Sequence, residues 1–113
     1  MYNSKILGMG HYVPENVVTN DDLSQLMDTN DQWIQERTGI RQRRWAVKGD
    51  GDTTFSMGLK AAKNAIRNSG IDKQDIDFIV FATLSPDYYF PGPGVQVQEA
   101  LEIDTVGALD VRN

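Results

Sequence analysis

Apolar and polar positions change period several times along the chain, and each change marks an element. Phe55, Leu59, Ala62 and Ile66 recur at intervals of four, three and four, the stripe of an amphipathic helix. Thr53 or Thr54 supplies a cap at its start, and Gly70 suits the left-handed residue that ends it. Asp77 to Thr83 is a short, nearly continuous apolar run. Its β-branched content and flanking turn residues predict a strand buried on both faces, as parallel strands are. Ser85 to Gly94 reads as a Pro/Gly-rich loop, Val95 to Leu101 as a helix, and Val106 to Val111 as a final strand.

The first half is patterned more finely. Lys5 to Val13 predicts a strand whose glycines, Gly8 and Gly10, either weaken it or permit close approach. Pro14 ends it. Thr19 with Asp22 three positions on makes a capping box, opening a short helix through Leu23, Leu26 and Met27. Thr29 with Gln32 has the spacing of a second box, leading into a helix that runs through Trp33 and Arg37 and stops at Gly39. Ile40 to Ala46 then alternates as a strand, and Gly49 to Asp52 turns. Strands alternating with helices predict an α/β fold, a mostly parallel sheet flanked by helices. The 113 residues suit one compact domain, with no internal repeat and no linker to divide them.

Composition narrows the chemistry. With no cysteine, disulfides, thiolate-bound zinc and a thiolate nucleophile are all excluded from this chain. Its one histidine, His11, is too few for a His-based metal site. Lys and Arg total 11 against 16 Asp and Glu, a net charge of −5 that argues against nucleic-acid binding. No apolar run approaches a membrane span, and the opening residues lack the apolar core of a signal peptide, so the expected location is cytoplasmic. The cations are unevenly placed: Arg37, Arg41, Arg43, Arg44 and Lys48 cluster in twelve residues. That is either a solvated face or an anion site.

Several motifs fail. Gly8-Met9-Gly10 has no third glycine and opens no helix, so it is not a dinucleotide loop. Asp28 to Gln32 is followed by Trp33 where a calcium loop needs its glycine. Ser85 lacks the elbow of an activated serine, and Glu99 with Glu102 is an ordinary exposed helix pair. Thr29, Trp33 and Arg37, spaced four and four, form one stripe of a helix. A hydroxyl, an indole and a guanidinium in a row suit a nucleotide. On spacing alone a core tryptophan between a helix N-cap and a C-terminal cation is the favoured reading.

The tract Thr19-Asn20-Asp21-Asp22-Leu23, followed by Asp28-Thr29-Asn30-Asp31-Gln32-Trp33-Ile34-Gln35-Glu36-Arg37-Thr38-Gly39-Ile40-Arg41-Gln42-Arg43, resembles the N-terminal region of beta-ketoacyl-acyl-carrier-protein synthase III. Ser56-Met57-Gly58, Ile79 to Thr83 and Phe90-Pro91 match at the right intervals, so that residues 1–113 resemble the N-terminal part of one thiolase-like domain, its remainder lying outside this chain. The resemblance implies a thiolase-like fold and a homodimer that condenses an acyl-CoA primer with malonyl-acyl carrier protein in fatty acid biosynthesis. CoA thioester is then a substrate, and neither a cofactor nor a metal is implied. It also implies that Trp33 stacks on the adenine of CoA, Arg37 meets its phosphates and Thr29 lies beside the base. Phe90 resembles a loop phenylalanine that reaches across the dimer toward the partner's acyl tunnel. The family's nucleophilic cysteine would follow Asn113, so this chain alone is expected to be inactive. A sister condensing enzyme, or a short CoA-binding or assembly module, are the alternatives.

Overall fold

The computed structural model describes residues 3–104 and 106–112. The element order is β1 (Val17–Thr19), α1 (Asn20–Ser24), α2 (Asp31–Thr38), β2 (Gln42–Arg44), α3 (Thr54–Ser69), a 3-10 turn (Lys73–Asp75), β3 (Phe78–Ala82), α4 (Pro93–Leu101) and β4 (Gly107–Val111). These fall into two compact units, one of Val13–Asp52 and one of Met1–Tyr12 with Thr53–Asn113.

In the second of these, β3 and β4 pair in parallel, with Val80 opposite Leu109. Helix α3 carries the stripe expected of it: Phe55, Leu59, Ala62 and Ile66 pack against buried Val97, Leu101 and Ile103, joined by Ile79 and Phe81 of β3. Thr53 caps α3 in a box with Ser56, and the Asp87 carboxylate accepts from the N–H groups of Thr54 and Phe55 at 3.1 and 2.7 Å. That ties the 85–92 loop to a helix N-terminus, where an anion is favoured. Asp110 does the same for α4, accepting from Gly94 N–H at 2.9 Å. The expected burial of β3 on both faces does not hold: Ile79 and Phe81 are covered, but Phe78 and Val80 stay exposed. Within this unit α3 and α4 pack on the Ile79 and Phe81 side of the sheet.

The predicted strand over Lys5–Val13 is an extended segment without ladder bonds in the described residues. Side chains of α3 take its carbonyls instead: Asn64 donates to His11 O at 3.0 Å and Asn68 to Met9 O at 2.9 Å. Gly8 and Gly10 provide the close approach. A Cβ on Gly8 would lie 2.6 Å from Ser69 Cβ and 2.7 Å from the Ala65 carbonyl, and one on Gly10 would meet the backbone of Ala61 and Ala65. Helix backbone does not yield, so Gly8→Ala should cost about 1–3 kcal/mol as overpacking. Thermal melting checks this; an unchanged midpoint would contradict it.

The Val13–Asp52 unit is built differently. β1 was not legible as a strand, and it pairs antiparallel with β2, Val18 opposite Arg43. Val18, Leu23 and Ile34 form its small core.

Candidate functional site: the outer face of helix α2

Helix α2 spans eight residues, of which only Ile34 is buried. The Thr29–Gln32 box is not what starts it. Asn30 is the N-cap, its side chain accepting from Trp33 N–H at 2.8 Å, while Gln32 donates to Glu36 at 2.8 Å. Asn is the stronger N-cap of the two neighbours. Gly39 closes the helix at φ 72°, a conformation that favours glycine.

With Ile34 turned to the core, Trp33 faces outward and is 53% exposed. Within the Val13–Asp52 unit the indole is not part of the core, which Val18, Leu23 and Ile34 form without it. Arg37, one turn on, places its guanidinium 5.6 Å from the centre of the indole ring, within cation–π range. Thr29 is relieved of the capping role, and its hydroxyl oxygen is buried with no hydrogen-bond partner among the described residues. The stripe thus consists of an open aromatic plate with a cation over it and, at the foot of the helix, an unsatisfied hydroxyl.

The arginine cluster divides by role. Arg43 donates to Val18 O and to the Asn20 side chain, and Arg44 to the carbonyls of Pro14 and Glu15. Those two hold the fold. Arg37 is the one whose guanidinium lies over the exposed indole. Phe90, in the other unit, is 93% exposed on the 85–92 loop, where Arg112 donates to Tyr89 O at 3.1 Å.

Asp31 titrates below the ordinary aspartate range, chiefly because the Asn20 amide bonds to its carboxylate, then because Gln35 does; desolvation opposes this and Arg41 adds a little. Asp22 is lowered by its hydrogen bonds from the hydroxyl and N–H of Thr19. A carboxylate with a lowered folded pKa stabilises the fold above its unfolded pKa, and that contribution is lost as pH falls through the folded value. The Val13–Asp52 unit should therefore lose helix below about pH 4. In an acid titration followed by circular dichroism, Asp22→Asn with Asp31→Asn should flatten the loss. An unaltered titration would contradict the assignment.

No protein-family model matches the chain. Among curated proteins it is 43% identical over 111 residues to beta-ketoacyl-[acyl-carrier-protein] synthase III of Clostridium novyi, covering 98% of this chain and 33% of that protein. The same enzyme of Ehrlichia ruminantium is 47% identical over 112 residues, 99% of this chain and 34% of that one. The crystal structure of 3-oxoacyl-[acyl-carrier-protein] synthase III from Aquifex aeolicus superposes with a TM-score of 0.89 at 41% identity, over 96% of this chain and 34% of that one. In sequence and in fold, the chain is similar to synthase III. It spans about a third of the length of these synthase III relatives. The priming beta-ketosynthase of the R1128 polyketide pathway is also similar, with a TM-score of 0.87 at 33% identity over 95% of this chain and 31% of that one. The two compact units are thus a partial α/β domain of the thiolase-like kind that synthase III adopts. No helix among the described residues is long and apolar enough to cross a membrane.

Proposed function

We propose that this chain is the acyl-CoA-binding portion of a synthase III-type condensing enzyme, and that the outer face of α2 is its nucleotide handle. The observation that carries this reading is Trp33, exposed where its own sequence pattern allowed a core position, with Arg37 over its ring. In this reading the adenine of CoA stacks on Trp33, the phosphates meet Arg37 and Thr29 lies beside the base. An anchored nucleotide leaves the pantetheine arm to carry the thioester toward the reacting centre.

The reaction is a decarboxylative Claisen condensation. A cysteine outside this chain takes the acyl group from acyl-CoA as a thioester and releases CoA. Malonyl-acyl carrier protein then loses carbon dioxide, and the carbanion attacks the acyl-cysteine to give the ketoacyl product and free the thiolate. The complete gene product would act as a cytoplasmic homodimer, with Phe90 crossing toward the partner's acyl tunnel. Incubated with an acyl-CoA and malonyl-acyl carrier protein, it should yield ketoacyl-carrier protein and carbon dioxide; absence of both overturns the reading. The 113-residue chain alone has no cysteine. Radiolabelled acyl-CoA should leave it unlabelled, and a stable acyl-protein would reveal another nucleophile.

A second reading, a sister enzyme joining other acyl thioesters, is favoured by the similarity to the priming ketosynthase. Product analysis with a panel of acyl-CoA primers and carrier proteins separates the two.

A further inference from the structure

Helix α2 has little to hold it in place. Eight residues with one buried side chain is too short and too weakly anchored to fix its own orientation. Asn20, on α1, supplies what the apolar contacts do not. It is 1% exposed, and its side-chain amide donates to the Asp31 carboxylate at 2.8 Å and to the Ile40 carbonyl at 2.8 Å. Asp31 is the first residue of α2 and Ile40 follows the Gly39 that closes it. One amide group therefore grips both ends of the helix. The amide oxygen in turn accepts from Arg43 at 2.5 Å, which fixes which way the amide faces. Asp31 is further held by Gln35 one turn along, at 2.8 and 2.7 Å.

We infer that Asn20 is a positioning residue for the nucleotide handle: it touches no substrate, and it sets the placement of Trp33 and Arg37 by clamping α2 at its start and its end. This rests on the CoA-binding reading above. The geometry requires an asparagine. Two donors must point to Asp31 and Ile40 while an acceptor meets Arg43, and no other side chain of that size offers both in one plane. Aspartate keeps the shape and the bond from Arg43 but loses both donors and sets a second carboxylate against Asp31. The helix stays covalently where it is, yet its two ends are released.

The test is titration of CoA into the complete gene product, with kcat and KM for acyl-CoA measured on the same samples. Asn20→Asp should weaken CoA binding about tenfold and raise KM in step, with kcat little changed, because the reacting centre is untouched. Amide hydrogen exchange across residues 31–38 should quicken. In a Trp33→Ala background, Asn20→Asp should cost clearly less than it does in the parent, since only Arg37 of the handle is left for it to position. If Asn20→Asp does not fold, Asp31→Ala, which frees one end only, should show the same split and the same reduced effect beside Trp33→Ala. Two results overturn the inference: unchanged CoA affinity in the folded variant, or losses that simply add to those of Trp33→Ala. Failure of the underlying reading looks different, because Trp33→Ala itself then leaves CoA binding intact.

Discussion

Replacing Trp33 with alanine should weaken acyl-CoA binding by about 1–3 kcal/mol, roughly 5- to 150-fold, and leave the melting temperature close to that of the parent. Stacking on an open indole has that worth by analogy with aromatic platforms for bases. The small stability effect follows from exposure: half of the ring faces solvent, and the core beneath α2 is made by Val18, Leu23 and Ile34 without it. KM should rise and kcat hold, since the handle is remote from the thioester. Trp33→Phe should lose less, because a smaller ring still stacks. Arg37→Ala should also raise KM, by an amount that shrinks as salt is added. A sharp fall in melting temperature with equal loss of every activity would instead mean that the indole is structural.

The largest effect on the chain taken alone concerns the bare side of the β3–β4 sheet. Phe78 and Val80 on β3 and Leu109 on β4 point the same way, by the pairing of Val80 with Leu109, and are 57, 62 and 51% exposed. The Phe78 ring lies against Gly107, so this face is continuous across both strands. α3 and α4 cover the opposite side. Contiguous exposed apolar surface of this kind drives association. The isolated 113 residues should therefore bind a hydrophobic dye strongly and sediment as oligomers, and Val80→Lys should remove most of the dye signal. The α3 stripe is not part of this surface, since Phe55, Leu59 and Ile66 meet Val97, Leu101 and Ile103 within the unit. A monomer that melts cooperatively and binds no dye would favour a self-sufficient module.

What was legible in the sequence depended on whether the cause was local. The α3 stripe, the Thr19–Asp22 box and the Gly39 stop are set by residues a few positions apart, and each is found where expected. The Thr29–Gln32 box failed although its spacing was right, because the helix starts one residue later, with Asn30 as N-cap accepting from Trp33 N–H. Strands were harder. Three-residue β1 exists through its pairing with β2, a contact 25 residues distant that periodicity does not encode. Lys5–Val13 had the composition of a strand, yet strand structure requires a neighbour, and among the described residues its carbonyls go to Asn64 and Asn68. At the site, spacing put Trp33 and Arg37 on one stripe but favoured a core tryptophan, and the exposure of the indole in this unit is what spacing does not encode. Asn20 was missed altogether. It stood in a capping tract as one more polar residue, and only the fold brings Asp31, Ile40 and Arg43 to it.

The claim that α2 holds the nucleotide end of CoA is tested most directly by changing substrate and protein together. Acyl-CoA and the matching acyl-pantetheine carry the same thioester, but only the first has an adenine and its phosphates. Steady-state kcat/KM for both should be measured on the complete gene product and on its Trp33→Ala variant. The account predicts a parent that prefers acyl-CoA and a variant in which that preference collapses toward one, with acyl-pantetheine turnover unchanged. If Trp33→Ala lowers kcat/KM for the two substrates by the same factor, the indole does not bind the nucleotide and the handle is not on this helix.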